Sequence, residues 1–309
     1  MTDPTVAIVT CERPQYLNRL LSSLAAQTID PGEIVVVNNG DDEATATVVD
    51  HHRTTFEQLS IDVRHLPRSV KHDLPGGRNA AIERATGDVI CFLDDDTVAK
   101  PTWLEGVEAG FRLDEDVVAV GGPSIATDET LTPVERIRTD EANLNRMNRF
   151  GEENDQSRRW IPPEPVRTDR LQGSNMAFTV DVLEEIGGFD PGYEGYPLFE
   201  DADVLAKLWK RDETVIYHPE AMVYHLRAVD GGYDSGRDHE YWYWFARNSI
   251  RYRKRNFPKT YPISLLRLLV HTSYHPPPIW KQLAAAVVTR RKRYLWQLFG
   301  YVDGVLREE

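Results

Sequence analysis

Asp88-Val89-Ile90-Cys91-Phe92-Leu93-Asp94-Asp95-Asp96 reads as an apolar strand that runs into three consecutive carboxylates. Adjacent carboxylates repel one another and are costly to desolvate together. An acidic cluster at the tip of a buried strand therefore points to a cation, and a divalent metal holding a phosphorylated substrate is the obvious candidate. Taken alone, the triplet also fits a helix cap and a solvated turn, because Pro101 opens a helix soon after. Side chains alternate along an extended segment, so Asp94 and Asp96 point to the same side.

The flanking sequence supplies the fold. Thr5–Thr10, Glu33–Asn38, Ile61–Leu66, Val89–Leu93 and Val117–Val120 are predicted strands. Helices are predicted over Pro14–Gln27, with Leu17, Leu20, Leu21 and Leu24 on one face, and over Ala44–Phe56 and Gly77–Ala85. Apolar strands separated by helices imply a mostly parallel α/β sheet covered on both faces. Ligands of such sheets bind beyond the carboxyl ends of the strands, where the chain order reverses. Thr10, Asn38 and the Asp triplet all end predicted strands. Residues 123–170 break the pattern with polar sequence and Pro162, Pro163 and Pro165, and predict a partly helical, partly mobile excursion. Structure is expected to resume at Leu171–Thr179. A helix over Val182–Ile186 then ends at Gly187-Gly188. A helix over Asp201–Arg211 and strands at Thr214–Tyr217 and Ala221–His225 follow, with helices beyond Asp238.

The composition, 41% hydrophobic and 28% charged over 309 residues, is that of a soluble globular protein. Val6–Val9 is too short for a secretory signal and is soon followed by Glu12 and Arg13. No stretch approaches the roughly 18 apolar residues of a spanning helix. Cys11 and Cys91, both on predicted core strands, read as buried hydrophobes in a reducing cytoplasm. The net charge of -13 hides an asymmetry: residues 241–309 hold 13 of the 36 basic and 3 of the 49 acidic residues. The acidic body suits a high-salt cytoplasm and repels nucleic acid. The basic tail, with Trp242, Trp244, Trp280 and Trp296, fits an anionic membrane surface or a helical subdomain whose basic face pairs with the acidic body.

Further segments complete a pattern. They are Val6-Ala7-Ile8-Val9-Thr10 with Arg13-Pro14, Glu33-Ile34-Val35-Val36-Val37-Asn38-Asn39-Gly40, and Gly76-Gly77-Arg78-Asn79-Ala80-Ala81. Gly173-Ser174-Asn175-Met176, Gly187-Gly188-Phe189-Asp190, Glu200-Asp201, Pro219-Glu220-Ala221 and His225 follow. In order and spacing they resemble, over about residues 5–257, the family 2 glycosyltransferases, inverting enzymes of the GT-A fold that use nucleotide sugars. The resemblance implies a glycosyltransferase domain over residues 1–237, with a donor half to about residue 122 and an acceptor half from about 171. Residues 238–309 would form a helical appendage.

The resemblance also implies roles. Thr10 and Glu12 border the nucleotide base, and Asn38 stands where many members carry an aspartate that receives a base N–H. Arg78 reaches the nucleotide, or else pairs with the Asp triplet. Asp94 binds ribose or a metal-bound water, Asp95 shares that task or shapes the turn, and Asp96 and His225 ligate Mn²⁺ or Mg²⁺. Asp201 is the general base, with Glu200 holding the acceptor and Asp203 as the fallback base. Outside this pattern the acids would read as an ordinary helix N-terminus. Gly173 and Asn175 line the donor sugar on its acceptor side. Arg247 touches the diphosphate or braces its helix. The expected partners are a nucleotide-sugar donor and a lipid-linked or polysaccharide acceptor, at the inner face of the cell membrane. A sugar nucleotidyltransferase would need an N-terminal Gly-rich loop with basic residues, which Thr10-Cys11-Glu12-Arg13-Pro14 lacks. A non-catalytic scaffold that kept the fold is the remaining alternative.

Overall fold

The computed structural model describes residues 3–140, 145–226, 239–270, 280–281 and 292–307. Its N-terminal half alternates β1 (Thr5–Thr10), α1 (Pro14–Leu24), β2 (Glu33–Asn39), α2 (Glu43–Gln58), β3 (Asp62–Arg68), α3 (Leu74–Ile82) and β4 (Val89–Asp94). Then come β5 (Thr97–Ala99), α4 (Trp103–Phe111), β6 (Val117–Gly121), β7 (Ser124–Ala126), β8 (Val166–Arg167), β9 (Asn175–Thr179) and α5 (Val180–Glu185). The second half closes with α6 (Glu200–Lys210), β10 (Thr214–Tyr217), β11 (Val223–His225), α7 (His239–Asn256), α8 (Tyr261–Val270) and α9 (Lys292–Leu306).

An eight-stranded sheet runs in the order β3-β2-β1-β4-β9-β6-β10-β8. The strands from β3 to β4 are mutually parallel, β9 runs antiparallel to β4 and β6, and β8 runs antiparallel to β10. The chain order reverses between β1 and β4, with Val9 opposite Asp94, so the Asp triplet emerges at that switch point. Period-2 alternation sends successive residues to opposite faces. Val6, Ile8, Ile34, Val36, Cys91 and Leu93 pack beneath α1, α2 and α4, with Leu17, Leu20, Leu21, Leu24 and Trp103. Ala7, Val9, Val35, Val37, Ile90 and Phe92 face α3, α5 and α6. Truncating one such leucine to alanine costs about 2–5 kcal/mol.

The predicted helices and strands of the first half are present with ends shifted by a few residues. A small second sheet in the order β5-β11-β7 was not legible in sequence. It pairs His225 with Thr97 on one side and with Ala126 on the other, which brings His225 beside Asp96. His225 is the last residue of β11, as its predicted strand has it.

The excursion over 123–170 contains no helix among its described residues, contrary to expectation. Asp128, Asn145, Asn148 and Asp155 accept nearby backbone N–H groups with their side chains, an alternative to helical pairing. Isolated bridges pair the segment with itself, and the buried Trp160, stacked on Tyr217, holds it to the body.

The C-terminal helices pack Ala246 and Ile250 of α7 against Leu268 and Tyr301. Several of their basic groups pair with the acidic body: Arg251 with Asp190 at 2.6 Å, Arg267 with Glu152 at 2.7 Å and Arg247 with Glu194 at 3.1 Å. The Arg247 contact is the bracing alternative. Its Nη1 also donates to the Gly192 carbonyl, and the guanidinium lies over Trp244. No described helix is long and apolar enough to cross a membrane.

Candidate active site

Asp94 ends β4, and Asp95 and Asp96 form the turn that leads into β5. Asp95 turns inward, where its carboxylate accepts a 2.7 Å hydrogen bond from Thr10 Oγ1 and one of 3.3 Å from Arg13 Nη1. Burial pushes its carboxyl up to about 7, against the pull of Arg13. The same Arg13 nitrogen lies 3.6 Å from Asp96 Oδ2, while Asp94 and Asp96 meet His225. His225 Nε2 lies 3.2 Å from Asp96 Oδ1, and one ligand atom each from Asp94, Asp96 and His225 fall within 4.8 Å of one another. Burial opposes protonation of His225, but the neighbouring Asp96 outweighs it and raises the imidazole above its usual value. Two carboxylate oxygens and an imidazole nitrogen, clustered this closely, suit a divalent cation. His225 Nδ1 is buried without a hydrogen-bond partner.

Across from this group α6 begins. Phe199 precedes it at φ 74°, a left-handed conformation costing on the order of 1–3 kcal/mol for such a residue. Glu200 and Asp201 form the first turn, where the helix dipole favours acids. Arg78, only 2% exposed, spans the gap: it contacts Glu200 Oε1 at 2.5 Å, Asp94 Oδ1 at 3.3 Å and the Gly173 carbonyl at 2.9 Å. The pairing alternative for Arg78 is therefore the one observed. Burial pushes the Glu200 carboxyl up to about 8 although Arg78 pulls it down.

Asp201 is treated differently. Burial would raise its carboxyl, but the charge and hydrogen bond of Arg170 outweigh that and hold it below the usual carboxylate range. Arg170 Nη2 donates to Asp201 Oδ2 at 2.7 Å, and the Gly173 N–H donates to the same oxygen at 3.0 Å. Arg170 also pairs with Glu153 at 2.8 Å. A Cβ at Gly173 would lie 3.1 Å from Arg78 Nη2 and 3.3 Å from Asp201 Oδ2, so glycine permits this convergence.

A cavity of about 790 Å³ opens over these groups. Arg78, Asp94, Gly173, Glu200, Asp201 and His225 line it at one end, and Tyr241, Trp242, Phe245 and Leu268 at the other. Thr10, Glu12, Asn38, Asp95, Asp96 and Asn175 are not part of its wall. Asn38 is wholly buried at the end of β2. Its Nδ2 donates to the Asp42 carbonyl, while its Oδ1 has no partner. Glu12 pairs with Lys71.

Asn175 departs from expectation. Its side chain donates to the Ala221 and Pro123 carbonyls and accepts from Trp103 Nε1, so the amide braces the sheet instead of facing a sugar. Arg13, Arg170 and Glu153 were not singled out from sequence. Arg13 lies within the Arg13-Pro14 motif, which could have signalled it. Arg170 and Glu153 come from aperiodic sequence that carried no signal.

The family model described as Glycosyl transferase family 2 matches residues 5–184. A glucosyl-dolichyl phosphate glucuronosyltransferase of Haloferax volcanii is 30% identical over 236 residues, covering 71% of this chain and 68% of that protein. A pre-mycofactocin glycosyltransferase of Mycobacterium tuberculosis is 26% identical over 72% of this chain, a match that spans 42% of the relative. The structure of Staphylococcus aureus TarS residues 1–349 with UDP-GlcNAc superposes with TM-score 0.65 at 16% identity, covering 98% of this chain and 81% of that one. The mannosyltransferase PcManGT of Pyrobaculum calidifontis, solved with GDP-Man and Mn²⁺, gives 0.58 at 16% identity over 99% and 88%. At such identity these two structures establish the fold, which is GT-A.

Proposed function

This chain belongs to glycosyl transferase family 2 and is a glycosyltransferase, and from that premise we propose that it moves a sugar from a nucleotide-diphosphate donor to a hydroxyl of a lipid-linked acceptor, with inversion. The observation that carries the proposal is the meeting of two chemistries on one cavity wall. Asp94 and His225, backed by Asp96, form a cation-binding group, and Asp201 is an ionised carboxylate facing the same space. The dolichyl phosphate in the name of the Haloferax relative supports a lipid-linked acceptor.

In this reading the donor diphosphate lies against Asp94, Asp96 and His225. A divalent ion held there, with Mn²⁺ favoured by the imidazole nitrogen, would supply Lewis-acid neutralisation of charge on the leaving group. The acceptor oxygen attacks the anomeric carbon from the face opposite the diphosphate. Its bond to that carbon forms as the carbon–phosphate oxygen bond breaks, and its proton passes to an Asp201 oxygen. Arg170 keeps Asp201 ionised before the acceptor arrives. Arg78 and Glu200 position β4, Gly173 and α6 relative to one another rather than touching the sugar. Asn38 Oδ1, a buried acceptor without a partner, suits a nucleobase N–H at the base end of the site beyond Thr10 and Glu12. On α9, Leu295, Phe299, Val302 and Leu306 fall on one helical face and are exposed among the described residues, which suits docking to the membrane surface that presents the acceptor.

The test is a panel of UDP-, GDP- and dTDP-sugars, each with Mn²⁺ and with Mg²⁺, read by donor hydrolysis and by calorimetric binding. Metal-dependent binding of at least one donor is expected in the native protein and not in Asp96→Ala. If no donor binds under any of these conditions, the nucleotide-sugar reading fails.

A further inference from the structure

We propose that Arg158, from the excursion over 123–170, binds the diphosphate of the donor and stabilises it as it departs. The inference deepens the nucleotide-sugar reading of the same site and rests on it.

Backbone pairing explains how Arg158 reaches the site. Ser124 N–H donates to the Ser157 carbonyl at 2.9 Å and Ala126 N–H to the Arg158 carbonyl at 3.2 Å. Residues 157–158 therefore lie along one edge of β7, whose other edge pairs with β11 in a register that sets Ala126 opposite His225. Arg158 is thus two strand spacings from His225, roughly 9–10 Å of backbone, a gap that an extended guanidinium bridges. Its side chain lines the cavity together with Asp94 and His225, and its charge acts on His225, opposing protonation of the imidazole.

The charge inventory separates Arg158 from the other arginines. Arg13 is committed to Asp95 and Asp96, Arg78 to Asp94 and Glu200, and Arg170 to Asp201 and Glu153. Arg159 faces Glu135 at 3.8 Å. Among the described residues no carboxylate lies within ion-pair distance of Arg158, and its buried Nε has no hydrogen-bond partner. Arg253 also lines the cavity without an ion pair, but it sits toward Glu152 and Tyr252, and its Nη1 donates to the Ser249 carbonyl. One uncommitted guanidinium therefore remains beside the cation-binding group. A planar fork of N–H donors matches the oxygens of a diphosphate.

During transfer the bond between the anomeric carbon and the phosphate oxygen breaks, and its electron pair stays on that oxygen. Arg158 donates hydrogen bonds to the diphosphate as this charge grows, without transferring a proton.

The experiment compares UDP with UMP and GDP with GMP, by calorimetry with Mn²⁺, in the native protein, Arg158→Gln and Arg158→Lys. The native protein should prefer a diphosphate to its monophosphate. Arg158→Gln should weaken diphosphate binding about tenfold or more and leave monophosphate binding unchanged, with partial recovery in Arg158→Lys. A diphosphate-to-monophosphate ratio in Arg158→Gln equal to the native one overturns the role of Arg158 and leaves the nucleotide-sugar reading standing. If the native protein binds none of the four nucleotides, nor dTDP or dTMP, that reading and this one fall together. Unchanged monophosphate affinity in Arg158→Gln shows that the variant is folded.

Discussion

Replacing Arg170 with glutamine should uncover how the proposed base is kept ionised. In the native fold Asp201 is depressed because Arg170 lies 2.7 Å away, with lesser help from Arg78 and the Ala202 N–H. For charge centres about 4 Å apart at an effective dielectric of about 20, the attraction is about 4 kcal/mol. The Gly173 and Ala202 N–H groups, at 3.0 and 2.8 Å, still hold the anion after the substitution, so the carboxyl rises by less than the whole of that attraction. Burial, no longer offset, then carries the carboxyl above the usual range. The sign follows. A depressed carboxyl is ionised throughout the neutral region, so Asp201 adds no acid limb of its own to native donor hydrolysis as pH falls from 8 to about 5, beyond what His225 and its neighbours impose. In Arg170→Gln an acid limb should enter that window. Glu153 and Asp201 also lose their shared cation, which costs about 3–5 kcal/mol of stability, visible in urea. Arg170→Lys restores the charge without the fork and should return most of the native profile. An Arg170→Gln enzyme whose hydrolysis follows the same pH profile as the native one would falsify the claim that Arg170 sets the state of Asp201.

Other substitutions separate the remaining roles. Asp201→Asn should keep donor affinity and lower transfer by about 10²–10⁴, and normal transfer would remove Asp201 as base. Chelation with EDTA should abolish donor binding and Mn²⁺ should restore it, whereas binding that persists after chelation would speak against a metal-dependent site. Asn175→Ala strips partners from Trp103 and two buried carbonyls, and should cost about 2–3 kcal/mol in denaturant titration; a loss below roughly 0.5 kcal/mol, the size of a surface change, would contradict the bracing role. Serine at Leu295, Phe299, Val302 and Leu306 together should release the protein from anionic liposomes, and flotation equal to the native chain would count against membrane docking through α9.

The β/α alternation, the apolar strands and the placement of acids at strand ends were all legible along the chain. Each is a local property, because the period of hydrophobicity sets the element, whereas the turn after β4 decides where Asp95 and Asp96 point. The resemblance added Asp201 and His225 as residues to watch. Tertiary structure decided their partners. His225 reaches Asp96 only because β11 inserts between β5 and β7, three short strands whose pairing is non-local. Arg170 and Glu153 meet Asp201 across an irregular segment where side-chain hydrogen bonds replace periodic ones, so no pattern announced them. Asn175 looked like a sugar ligand until Trp103, Pro123 and Ala221 were found around its amide. Sequence specifies which groups are charged or polar. Which of them remain uncommitted depends on the burial and pairing that folding imposes, because a buried charge takes whatever partner the distant chain brings.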